Sequence, residues 1–75
     1  MADDADHRAG HAWIDAFAAR LGAEAPTAAE RDAILDFAGE AAHSSERIAA
    51  PIACWIAAKH GVPVDEAMRV AKELG

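Results

Sequence analysis

The apolar positions of this chain recur at helical spacing over nearly its whole length. Trp13, Ile14, Phe17 and Leu21 fall three and four residues apart, and Gly22 follows where a left-handed residue closes a helix. The spacing predicts a first helix from about Gly10 to Leu21. Ala23 to Pro26 reads as a short connection, and Thr27-Ala28-Ala29-Glu30 has capping-box spacing, in which the Thr27 hydroxyl accepts from the Glu30 amide while the Glu30 carboxylate reaches back. A second helix starts there, with Ile34, Leu35, Phe37, Ala38, Ala41 and Ala42 as a broad apolar face. The pattern weakens at His43-Ser44-Ser45. Pro51 has no amide proton to donate, so it fits the first turn of a third helix, which runs to about Lys59 with Ile48, Ile52, Trp55 and Ile56 on one side. Gly61 supplies the stop. A fourth helix turns Val64, Ala67, Met68, Ala71 and Leu74 inward, with Asp65 and Glu66 in its first turn and Lys72 in its last, as the helix dipole favours.

No segment alternates apolar and polar residues in the manner of a strand, and Ala dominates the composition. The expected fold is therefore all-α, a compact bundle of four short helices. Its expected core is Trp13, Phe17, Leu21, Ile34, Leu35, Ile52, Trp55, Ile56, Val62, Met68 and Leu74. Residues 1–9 carry Asp3, Asp4 and Asp6 without a large apolar residue after Met1, and read as a flexible acidic tail; residues 10–75 read as a single helical domain.

Composition narrows the setting. Seventy-five residues make one domain, in a size range where stability is only a few kcal/mol. Cys54 is the sole cysteine, so it forms no internal disulfide, and no Cys/His set has zinc spacing; a reducing, cytoplasmic location is expected. No charged-then-apolar leader opens the chain, and no apolar run approaches the roughly 18 residues that cross a bilayer. A formal net charge of −6 disfavours nucleic acid, whose backbone is gripped by clustered Lys and Arg.

The unusual polar chemistry gathers between Ala41 and Ile52. His43 and Arg47 are four apart, with Glu46 beside them and Pro51 beyond. One reading makes His43, Glu46, Arg47 and Pro51 a surface that recognises a partner, Arg47 being suited to a bidentate contact with a carboxylate or phosphate. The structural alternative has His43 satisfying the last carbonyls of helix two, Ser44 or Ser45 capping the third helix, and Arg47 clamped to Glu40 or Glu46. Nucleophilic catalysis by either serine with His43 lacks a third orienting group, so no enzyme activity is expected. His7 and His11 stand at i and i+4 near Asp3, Asp4 and Asp15, but read as an exposed solvated pair, so no metal or other cofactor is expected. Trp13 and Trp55 read as core, and Cys54 as an inert, partly buried thiol.

A competing motif is Ala57-Ala58-Lys59-His60-Gly61-Val62 ahead of Asp65 to Leu74, which has the turn spacing of a helix-turn-helix. Against DNA binding, its second helix carries Asp65, Glu66 and Glu73 with only Arg69 and Lys72.

The pattern Trp13-Ile14, Leu21-Gly22, Ile34-Leu35-Asp36-x-Ala38, then Ala42-His43 with Arg47-x-Ala49-Ala50-Pro51-Ile52, then Gly61 and Glu66-Ala67, resembles a bacterial family of small helical domains of unknown function. Members occur alone or fused to the C-terminal side of molybdenum-cofactor guanylyltransferase-like nucleotidyltransferases. The resemblance covers roughly Ala12 to Leu74, and its most specific piece is the Ala-His-x-x-x-Arg-x-Ala-Ala-Pro run. It implies an accessory domain with a protein partner, that nucleotidyltransferase or a molybdoenzyme maturation factor, and it places His43 and Arg47 in or beside the docking surface. The other functional classes left open are a DNA reader and a small-ligand site built on His43 and Arg47. Self-association is also open, because four short helices carry more apolar surface than one copy readily buries.

Overall fold

A computed structural model describes residues 7–75 of the chain. Its elements are four helices and no strand among those residues: α1 (Arg8–Leu21), α2 (Ala28–Ser44), α3 (Ala49–Lys59) and α4 (Val64–Leu74). The helix pattern and the all-α bundle expected from the sequence are both present. Arg8 and Ala9, expected in the tail, already belong to α1, while the tail up to residue 6 lies outside the described residues.

Local chemistry explains where the helices start and stop. The Thr27 hydroxyl accepts from the Glu30 amide at 3.1 Å, and the Glu30 carboxylate accepts from the Thr27 amide at 2.8 Å, completing the capping box of α2. Gly22 and Gly61 both stand at φ 68°, a left-handed conformation that residues with a side chain adopt only under strain. Beyond Gly61, the Val62 amide donates to the Ala57 carbonyl at 2.9 Å and the Gly61 amide to Ala58 at 3.2 Å, so the final carbonyls of α3 are satisfied as the chain turns into α4.

The core is smaller than the sequence pattern suggests. α2 is the hub, packing against both α3 and α4. The buried apolar residues are Phe37 and Ala41 of α2, Ala67 of α4 and Ala18 of α1, with Phe37, 6 % exposed, as the one large side chain among them. Alanines at the crossings let the helix backbones approach closely. Ile34, Val62 and Met68 are half-buried, but the other expected core residues, Trp13, Phe17, Leu21, Leu35, Ile52, Trp55, Ile56 and Leu74, are exposed. The reason is that periodicity identifies residues sharing a face without saying whether that face has a neighbour. α3 makes the point: from Ala49 to Ala58 it has no charged residue on any side, yet it has neighbours on only part of its circumference.

α1 is attached by a different device. Arg31, near the start of α2 and with only 12 % of its side chain exposed, reaches across to α1. Its Nε donates to the Pro26 carbonyl at 2.9 Å, one terminal nitrogen donates to His11 Nδ1 at 3.0 Å, and the other pairs with the Asp15 carboxylate. His11 is thus a hydrogen-bond acceptor in an interhelical contact and not a freely solvated partner of His7. A guanidinium only donates, so Nδ1 carries the lone pair.

Candidate functional site

The candidate site is the joint between α2 and α3. α2 ends at Ser45, whose backbone leaves helical geometry at φ −136°, ψ −101°. The chain then makes a tight turn in which the Ala49 amide donates to the Glu46 carbonyl at 2.8 Å and the Ala50 amide to Arg47 at 3.2 Å. Pro51, next in line, has no amide hydrogen to satisfy. The opening turn of α3 is thereby closed by backbone alone, and Ile48 at its cap position contributes no side-chain bond.

The side chains around it take no part in that closure. Neither serine caps α3, contrary to the structural alternative: the Ser44 hydroxyl instead donates back to Glu40 at 3.3 Å within α2. Arg47 is not clamped to Glu40 or Glu46, and His43 bonds no carbonyl. Among the described residues, His43, Glu46, Arg47 and Pro51 are all exposed, and His43, Glu46 and Arg47 enter no side-chain hydrogen bond or ion pair. The joint presents a free imidazole, a free carboxylate and a free guanidinium on a backbone already fixed by other means.

The polar joint runs directly into an apolar surface. Ile48 follows Arg47, and Ile52 and Trp55 continue the same side of α3 at four- and three-residue spacing, all more than half exposed. The Lys59 ammonium lies 5.4 Å from the centre of the Trp55 ring, a cation–π contact that closes the stripe at its far end. Trp55 is therefore a surface aromatic, 60 % exposed, and the expectation that it fills the core is corrected. Cys54 beside it is half-buried, and burial raises its thiol pKa, so the thiolate is disfavoured.

A groove of about 580 Å³ opens between α2, α3 and α4, floored by Phe37, Ala41, Ala53 and Ala67 and bordered by Val70 and Leu74. A second hollow lies where the α1–α2 connection meets the start of α4 and is lined by Glu24, Glu30 and Asp65. Two of those carboxylates have structural work: Glu30 closes the capping box and Asp65 accepts from the Glu66 amide at 2.9 Å. On α4, Arg69 is paired with Glu73 at 2.9 Å, so one of the two cations of the would-be recognition helix is already engaged.

The break in the helical pattern at His43-Ser44-Ser45 marks the joint in the sequence, whereas Arg31 has no such local mark. Its partners on α1 lie 16 and 20 residues away, beyond any local spacing rule. One signal was available: a cation in the opening turns of a helix opposes the dipole, which suggests a partner elsewhere.

Together these features describe a small all-α domain whose distinguishing surface is an unengaged polar joint continuing into an exposed apolar helix face. The chain belongs to DUF6457, a family described as a domain of unknown function, whose model matches residues 5–74. No curated protein and no solved structure matches it. No helix of the described residues is long and apolar enough to cross a membrane.

Proposed function

We propose that this chain is a non-catalytic accessory domain that docks on a protein partner through the α2–α3 joint and the outer face of α3. The observation that carries the reading is that His43, Glu46 and Arg47 are exposed and unbonded while the backbone around them is closed by its own hydrogen bonds. Side chains needed for folding would be engaged here, and these are not. Ile48, Ile52 and Trp55 add the aromatic and aliphatic anchor area that protein interfaces use, beside an Arg able to grip a carboxylate. The partner we infer is a molybdenum-cofactor guanylyltransferase-like nucleotidyltransferase or a molybdoenzyme maturation factor, a choice that rests on the resemblance in sequence.

The test is calorimetric titration of the purified chain into a purified molybdenum-cofactor guanylyltransferase, with the His43→Ala/Arg47→Ala double variant as comparison. Saturable binding by the wild type, weakened tenfold or more in the double variant (about 1.4 kcal/mol or more) at unchanged helical content, supports the proposal. No heat of binding from the wild type, or equal affinity of the two proteins, contradicts it.

A further inference from the structure

Two surfaces left without a neighbour among the described residues complement each other. The first is the outward side of α1. His11, Ile14 and Ala18 face the rest of the molecule, whereas Trp13, Phe17 and Leu21, at i, i+4 and i+8, are each half or more exposed, and the Trp13 and Phe17 rings stack on one another at 5.1 Å. Arg20 borders that stripe and is the charged residue lining its shallow hollow, while Asp15 is drawn away to Arg31. The second surface is the groove between α2, α3 and α4, whose lining is apolar or small apart from Ser44, Ser45 and one charged residue, Glu66. A cationic amphipathic helix and an acid-marked apolar groove thus stand on the same polypeptide.

We propose that the groove is occupied by α1 of a second copy of this chain, Trp13, Phe17 and Leu21 seating against Phe37, Ile56 and Val70 with Arg20 paired to Glu66 of the other subunit. This is helix-in-groove recognition, read through anchors at one-turn spacing. Charge favours it, because the charged residue beside the α1 stripe is the cation Arg20 and the one charged residue lining the groove is the anion Glu66. No refolding is required: the Arg31 contacts hold the inner side of α1, so its outer side is offered with the helix already in place. When each subunit's α1 enters the other's groove, the pair closes on a two-fold axis; otherwise the contact repeats into larger assemblies. The self-contact uses α1 and the groove, which reaches the joint only at Ser44, Ser45 and Ala49, and leaves His43, Glu46, Arg47 and the outer face of α3 for the partner proposed above.

Sedimentation velocity of the full chain over a concentration series tests this, with helical circular dichroism confirming that each variant is folded. The wild type should gain mass with concentration. Phe17→Glu on α1 and Val70→Glu in the groove should each weaken association tenfold or more. Arg20→Glu and Glu66→Arg alter exposed side chains and should leave the fold intact; each alone should weaken association several-fold, and the two combined should restore it to within about threefold of wild type. A chain that stays monomeric at millimolar concentration overturns the proposal. So does association that is indifferent to Phe17→Glu and Val70→Glu, or a charge reversal without rescue.

Discussion

The contact between α1 and α2 and the contact of α2 with α3 and α4 are made in opposite ways. The first centres on one long polar side chain, Arg31, which gathers His11, Asp15 and the Pro26 carbonyl, with only Ala18 of α1 buried and Ile14 half-buried beside it. The second is apolar and close, with Phe37 and Ala41 of α2 and Ala67 of α4 buried. Apolar packing of small residues is insensitive to salt and fails all at once when its one large member is removed. A polar bracket is directional and can be cut without disturbing the elements beyond it.

The two contacts separate most sharply at Phe37. Phe37→Ala should cost about 3 kcal/mol or more, a loss comparable with the whole stability of so small a domain, and thermal unfolding followed by circular dichroism should show a chain largely unfolded at 25 °C. Arg31→Ala should cost less, about 1–2 kcal/mol, since its Asp15 partner is exposed and that pair is screened by solvent. Its signature is regional: hydrogen exchange should rise across α1 while α2, α3 and α4 keep their protection. Thr27→Ala removes one half of the capping box and should lower stability by about 1 kcal/mol, read from the denaturant midpoint. The smallest effect is expected at the exposed face of α3, where Trp55→Ala should cost under about 1 kcal/mol; a loss of about 3 kcal/mol would mean that Trp55 is core after all.

Much of this was legible in the sequence, and the rest was hidden for definite reasons. Helix boundaries follow from local chemistry, so Thr27, Glu30, Gly22 and Gly61 sit where spacing alone puts them. Burial does not follow, because it depends on which faces meet. Ile52 and Trp55 share a face as expected, but no element among the described residues covers that face. Arg31 was invisible because its contacts with α1 are long-range. The joint was found as an irregularity in the pattern, His43-Ser44-Ser45 ahead of Pro51. That the start of α3 is closed by backbone bonds from Ala49 and Ala50, and not by a serine cap, is something no sequence rule specifies.

The outer face of α3 is exposed and not part of the core, and the exposure of Trp55 is its most direct sign. Acrylamide quenching of Trp55 fluorescence in a Trp13→Phe background measures that exposure. Quenching should be close to that of a free tryptophan derivative in the isolated chain, and the proposed docking predicts that Trp55 becomes shielded once a molybdenum-cofactor guanylyltransferase is added. Strong protection of Trp55 in the isolated chain, unchanged by dilution, would contradict an open face.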